Sequence, residues 1–219
     1  MKKDIKDMKN LPNIITIIRI LLIPFVIFFY LANFFDNGIG KLIAMILFII
    51  AAVTDMVDGY IARKYKLVSD FGIFLDPIAD KIMASTGLVI LIVDGTLPSP
   101  YGVLLFILML LRDYVVTGLR QLGQIKGCII AADIWAKLKS IILDIGLVIG
   151  MLLAYFCEIS TTTDFITTLK VIFYVLCGAS AILLIISGIN YVVKNAHVFK
   201  DESKTNIKIE KDDSEDVIL

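Results

Sequence analysis

The sequence predicts an all-α, polytopic membrane protein with six transmembrane helices, and three observations carry that reading. Of 219 residues, 58% are hydrophobic and 19% are charged, against about 45–50% and about 25% in soluble domains. The mean hydropathy is +0.89, so much of the surface must face something other than water. Six stretches, 11–33, 41–62, 71–93, 101–123, 137–157 and 166–193, each supply the run of about 20 apolar residues that a bilayer core of about 30 Å requires. The connections between them alternate in charge, as the loops of a membrane protein do.

The first stretch contains Arg19 and lacks a small-residue cleavage site after a short apolar core, so it reads as a retained helix rather than a cleaved leader. Before it, residues 1–10 carry Lys2, Lys3, Lys6 and Lys9 with Ile5 and Met8 three apart. This segment is either a short helix on an anionic membrane surface or a charged tether. The connections 36–40 (DNGIG), 94–100 (DGTLPSP) and 158–168 (EISTTTDFITT) contain helix breakers and neither Lys nor Arg. Those on the other side hold Arg63, Lys64 and Lys66, then Arg120, Lys126, Lys137 and Lys139. By the positive-inside rule this asymmetry puts both termini in the cytoplasm and the protein in the cell membrane. Residues 11–195 form the six-helix domain, and 196–219, polar and charged on both signs, read as a disordered cytoplasmic tail. Twenty-one basic residues balance twenty-one acidic ones, which argues against nucleic acid as a partner. Cys128, Cys157 and Cys177 lie far apart in apolar runs and read as packing residues.

Ionised side chains in hydrocarbon cost several kcal/mol, so those inside a spanning segment face the bundle interior and are functional candidates. Arg19, Asp55, Asp58, Asp76, Asp80, Arg112, Asp113 and Asp144 all fall in such segments, at similar distances from the cytoplasmic ends. They describe a polar cavity open to the cytoplasm. Asp55 and Asp58 are three apart and Asp76 and Asp80 four apart, so each pair shares a helix face. Four carboxylates in one low-dielectric pocket need protons or cations, and two divalent ions with hard oxygen ligands would neutralise them. Histidine is absent from the cluster, because His197 lies in the tail. That disfavours zinc and points to two Mg²⁺ or Mn²⁺ ions, a device suited to phosphoryl transfer.

Gly59, Ala62 and Gly72 remove bulk beside the acids, and Arg63 adds a fixed cation. These small residues either admit a nucleotide or phosphate to the backbone or let helices pack closely. Asn13, Thr16 and Arg19 recur at helical spacing. They line either the nucleotide side of the cavity or an interhelical polar network.

Read continuously, residues 55–80 are DMVDGYIARKYKLVSDFGIFLDPIAD, which resembles the signature of the CDP-alcohol phosphatidyltransferases, DxxDGxxARx8GxxxDxxxD. All eight fixed positions are present: Asp55, Asp58, Gly59, Ala62, Arg63, Gly72, Asp76 and Asp80. The resemblance implies transfer of a phosphatidyl group from CDP-diacylglycerol to an alcohol with release of CMP. It implies two metal ions among the four aspartates, Asp80 doubling as general base, and a homodimer among membrane lipids. Asn13, Thr16, Gly59, Ala62, Arg63 and Gly72 then become candidates for binding CDP-diacylglycerol. Residues 9–195 are similar to the branch of the family whose acceptor is sn-glycerol 3-phosphate, with Asp113 where glutamate is expected and Ser140 where threonine is usual. The alternative is the same chemistry on phosphatidylglycerol or an inositol phosphate.

Arg112, Arg120, Lys137 and Lys139 cluster near the cytoplasmic mouth and independently favour a phosphorylated acceptor. For Arg120, Lys137 and Lys139 the positive-inside distribution is an equal explanation. Arg112 is too deep for that rule. Asp113, the next residue, points about 100° away around the helix, and Asp144 lies on another helix, so neither is an assured counter-ion. Two other classes fit less well: aromatic prenyltransferases separate their two acidic motifs widely, and a divalent-cation transporter leaves Gly59, Ala62, Arg63 and the cationic mouth unexplained.

Overall fold

The computed structural model describes residues 11–32, 36–65, 70–125, 134–159 and 162–195. The expected surface segment 1–10, the tail 196–219, Cys128, and the side chains of Asp58, Gly59, Ala62, Arg63 and Lys137 lie outside the described residues. Six long helices follow in order: α1 (Leu11–Leu31), α2 (Ile39–Tyr65), α3 (Asp70–Val93), α4 (Tyr101–Ile125), α5 (Ile134–Glu158) and α6 (Thr163–Lys194). Each expected stretch lies on one helix. The boundaries differ by a few residues because hydropathy stops at the first polar side chain, whereas the backbone hydrogen-bond ladder does not. Thus α2 continues through Arg63 and Lys64 to Tyr65, and α5 already starts at Ile134.

Four of the helices contain a segment long and apolar enough to cross a membrane: Asn13–Leu31, Tyr101–Gly123, Leu138–Glu158 and Thr163–Lys194. They describe a multi-pass membrane protein. The other two, α2 and α3, are of comparable length, 27 and 24 residues, and carry the acidic motif. Ile14, Ile17, Leu21, Phe25 and Phe28 are exposed along one side of α1, as are Val171, Val175, Ile182, Ile186, Ile189 and Val193 along α6. In water such stripes would drive aggregation; against hydrocarbon they are the compatible face.

Packing closes a ring. α1 lies against α2 and α3, α2 against α5, α5 against α6, α6 against α4 and α4 against α3, with a further contact between α3 and α5 across the middle. Phe48, Leu88, Leu91, Leu147, Met151, Phe173 and Leu184 form the dry centre. Two glycines set how close the helices come. A Cβ on Gly40 would sit 2.4 Å from the Phe29 carbonyl oxygen of α1, and one on Gly150 would meet Leu91 at 2.6 Å and Phe173 at 2.7 Å. Small residues at such crossings let backbones approach and gain van der Waals contact. On α6 the buried positions are Phe173, Ser180, Leu184, Ser187 and Tyr191, a seam spaced by seven, four, three and four residues. Cys177 packs against the core, whereas Cys157 is exposed, which corrects its expected packing role: it lies at the last turn of α5, where the ring no longer covers it.

The end of the bundle opposite the acidic motif is tied by an ionic cluster. Lys41 at the start of α2 pairs with Asp94, just beyond α3, at 2.7 Å and with Glu158, the last residue of α5, at 3.1 Å. Tyr30 of α1 and Thr96 donate hydroxyl hydrogen bonds to Asp94 at 3.2 and 2.5 Å, and the Lys41 ammonium stands 5.7 Å from the Tyr30 ring centroid. Four helices meet there. Because Lys41 and Asp94 are 18% and 17% exposed, their pairing falls between the exposed class, worth about 0–1 kcal/mol, and the buried class, whose breakage costs about 3–5 kcal/mol. Asp94→Asn should therefore lower stability in detergent by about 2 kcal/mol, and Glu158→Gln, at a more exposed site, by less. Thermal unfolding of the two variants checks the order; equal losses would mean that Glu158 carries as much as Asp94.

Candidate active site

The polar groups of the motif stand on different helices and meet because those helices are neighbours. Arg19 is the ninth residue of α1, Asp76 and Asp80 the seventh and eleventh of α3, and Lys139 and Asp144 the sixth and eleventh of α5. Asp55 precedes the end of α2 by ten residues and Arg112 that of α4 by thirteen. At 1.5 Å rise per residue all lie about 8–20 Å from one end of the bundle.

One wall is α1, which touches both acid-bearing helices. Thr16 and Arg19, one turn apart and each 1% exposed, reach one helix each. The Thr16 hydroxyl donates to Asp76 Oδ1 at 2.8 Å, and the Arg19 guanidinium donates to and pairs with Asp55. Thr16, expected either to line a nucleotide site or to join an interhelical network, thus makes at least the network contact. Asn13 is half-buried one turn earlier on α1, and Gly72 is buried near the start of α3. Pro77 follows Asp76 directly; lacking an N–H, it leaves the carbonyl of residue 73 without its helical donor.

The acids stay reachable. Asp55 is 44% exposed, and both Asp76 and Asp80 are exposed although Ala79 between them is fully buried. Asp80 lies within electrostatic range of Asp55, Asp113, Lys139 and Arg19, and Asp144 within range of Asp80, Asp55 and Lys139. Among the described residues five carboxylates, Asp55, Asp76, Asp80, Asp113 and Asp144, thus face three cations, Arg19, Arg112 and Lys139. The surplus is negative and its donors are hard oxygens, a set that fits a divalent cation of the Mg²⁺ class. Among the described residues no three acidic, histidine or cysteine side chains are grouped tightly enough to hold an ion, and Asp58, the fourth of the motif, lies outside them.

On the far side of Asp80 the cations are organised by Asp113. Its Oδ1 accepts from Arg112 Nη1 at 2.9 Å and from Lys139 Nζ at 2.9 Å. Asp113 is therefore the counter-ion of Arg112, although adjacent helix positions diverge by about 100°: the long arginine side chain bends back to its neighbour. Arg112 Nη2 donates to Ser187 Oγ on α6 at 2.8 Å. Lys139 is 5% exposed, too buried to be an ordinary loop cation. Arg120 lies eight residues beyond Arg112 on α4 and is exposed, so the structure does not bring it into this group. Lys81, beside Asp80 in sequence, turns away to donate to Thr117 on α4 at 2.9 Å.

Every helix thus contributes a polar group at one level: Thr16 and Arg19, Asp55, Asp76 and Asp80, Arg112 and Asp113, Lys139 and Asp144, and Ser187. The last of these escaped sequence reasoning. Its signal was a serine at a seam position of an otherwise apolar helix, three residues after Leu184 and four before Tyr191.

Over 102 residues the chain is 43% identical to the CDP-diacylglycerol–glycerol-3-phosphate 3-phosphatidyltransferase of Bacillus subtilis (strain 168), covering 47% of this chain and 51% of that protein. It is 33% identical over 170 residues to the protein of the same name from Rickettsia felis, covering 78% of this chain and 86% of the relative. A third relative of that name, from Haemophilus influenzae, is 36% identical over 128 residues, with 54% and 63% covered. The chain therefore matches about half the length of the first relative and most of the second. The model of the CDP-alcohol phosphatidyltransferase family matches residues 9–186, from before α1 to within α6 and through the whole acidic motif, and on that match the chain belongs to the CDP-alcohol phosphatidyltransferase family.

Proposed function

We propose that this protein transfers the phosphatidyl group of CDP-diacylglycerol to sn-glycerol 3-phosphate, giving phosphatidylglycerophosphate and CMP. All six helices cross the cell membrane, both termini lie in the cytoplasm, and the polar level opens to the cytoplasm, where both CMP and the acceptor are soluble. The observation that carries the reading is the meeting of Asp55 and Asp80 with the Arg112–Asp113–Lys139 group in one bundle end. One side of this site suits a diphosphate and the other a phosphorylated alcohol. The names of the relatives support the same pair of substrates.

In this reading Asp55, Asp58, Asp76 and Asp80 would hold two Mg²⁺ or Mn²⁺ ions, whose chemistry is to neutralise the diphosphate and the charge that develops on it. Asn13, Thr16, Gly59, Ala62, Arg63 and Gly72 line the nucleotide side. Asp80 takes the proton from the primary hydroxyl of the acceptor. That oxygen bonds to the phosphorus bearing diacylglycerol, the bond from this phosphorus to the bridging oxygen breaks, and CMP leaves with the electron pair. Arg112 and Lys139 bind the acceptor's phosphate, and Lys137 and Arg120, nearer the mouth, attract it on its way in. A dianion there offsets two cations that share one carboxylate.

Purified protein supplied with CDP-diacylglycerol should release CMP with sn-glycerol 3-phosphate and not with phosphatidylglycerol, inositol phosphate or serine. Release with one of the others alone would overturn the acceptor assignment. Arg112→Ala should raise the KM for sn-glycerol 3-phosphate roughly 30-fold or more, the effect of about 2–5 kcal/mol for a desolvated charged contact, with the KM for CDP-diacylglycerol nearly unchanged. Arg112→Lys keeps charge but not the planar fork and should be intermediate. If both variants leave acceptor dependence alone and only lose thermal stability, the pairing of Arg112 with Asp113 is its whole role.

A further inference from the structure

We propose that Ser187 of α6 is a positioning residue that fixes the orientation of the Arg112 guanidinium toward the acceptor's phosphate. The inference rests on the reaction proposed above and adds to it α6, the one helix to which that reaction assigns no residue. Asp113 alone cannot orient Arg112, because a single contact at Nη1 lets the planar group swing about that bond. The second anchor is Ser187 Oγ, which accepts from Nη2 at 2.8 Å. Ser187 is 1% exposed, so its hydroxyl has no water to trade for this bond.

With both ends of the fork held, the plane is set. Arginine has five N–H donors in fixed directions, and two are used by Asp113 and Ser187. The Nε group is buried and has no hydrogen-bond partner among the described residues; each Nη carries a second N–H, the donors that an incoming oxygen would use. Asp113 also holds Lys139 at 2.9 Å, which leaves the three groups with one positive charge in excess. Asp80 lies within electrostatic range of both Asp113 and Lys139, so an anion captured here is close to the proposed base. A plain interhelical tie between α4 and α6 would explain the Ser187 contact too, and the two roles separate by kinetics.

The experiment uses full-length protein and compares Ser187→Val with Ser187→Thr, which are matched in volume and differ by the hydroxyl. Ser187→Val should raise the KM for sn-glycerol 3-phosphate about tenfold or more, the worth of one hydrogen bond to a charged group. Turnover at saturation and the KM for CDP-diacylglycerol should stay within about twofold. Ser187→Thr should restore the acceptor KM, and in an Arg112→Lys background Ser187→Val should add little, because the two residues act as one unit. Ser187→Ala removes the hydroxyl without added bulk and gives the same readout where a larger side chain does not fit. Equal KM values for the Val and Thr variants, a loss confined to the thermal midpoint, or a full Ser187→Val effect in the Arg112→Lys background would each overturn the role. Wild-type protein that releases no CMP with sn-glycerol 3-phosphate would overturn the reaction itself. Wild-type turnover combined with unmoved Ser187 variants would overturn this inference alone.

Discussion

Asp76→Asn is expected to lower turnover about 10²–10³-fold, the loss typical when one charge-stabilising group is withdrawn from a transition state, while the protein still folds. Folding survives because Asp76 Oδ1 accepts a hydrogen bond from Thr16, and the carboxamide oxygen of asparagine can accept the same bond. The lost item is charge. Among the described residues five carboxylates face three cations, and each removed anion would weaken the proposed hold on a divalent ion. Asp58→Asn should behave alike, since its spacing of three from Asp55 places it on the same face of α2. EDTA should abolish turnover of the unmutated protein, and Mg²⁺ or Mn²⁺ should restore it. Either variant keeping more than about a tenth of the wild-type rate at saturating Mg²⁺ would remove that residue from the proposed ligand set.

Asp80→Asn is expected to reduce kcat about 10²–10⁴-fold, the contribution of a general base, with little change in the KM for CDP-diacylglycerol. Asp80 stands one turn beyond Asp76, is exposed, and senses both the Arg19–Asp55 pair and the Asp113–Lys139 pair. No other described carboxylate on α3 lies between the diphosphate side and the acceptor side of the proposed site. Asparagine keeps the shape and cannot accept the proton. The discriminating measurement is the rate of the variant against Mg²⁺ concentration: full recovery at high Mg²⁺ would make Asp80 a ligand and nothing more.

The helices were legible because each buries its backbone polar groups internally, so a run of about 20 apolar residues has only one stable form in a bilayer. The gathering of charges from several helices was legible for a related reason: Asp55, Asp80, Arg112 and Asp144 sit in segments where an unpaired charge is too costly to be accidental. Helix rotation was not legible. Nothing in the sequence says that Arg112 turns back to Asp113, or that Lys81 faces Thr117 while its neighbour Asp80 faces the acids. Those choices follow from which side of α4 meets α3 and α6, a property of the packed ring. Ser187 and the Lys41–Asp94–Glu158 cluster were missed because each is assembled from residues that look ordinary alone: a serine in an apolar helix, and charges at helix ends.

That cluster has a mechanical meaning for the polar end of the bundle. α2 is anchored at Lys41, and Asp55 lies fourteen residues along it, a lever of about 21 Å at 1.5 Å per residue. A tilt of about 5° about the anchor would carry Asp55 nearly 2 Å, and a misplacement of about 1 Å can cost about 10²-fold in rate. The fidelity with which the carboxylates hold their places is therefore set partly at the opposite end of the bundle, by the stiffness of a pivot made of Lys41, Asp94, Glu158 and Tyr30. Loosening that pivot should register as a broader distribution of distances across the polar level before it registers as unfolding.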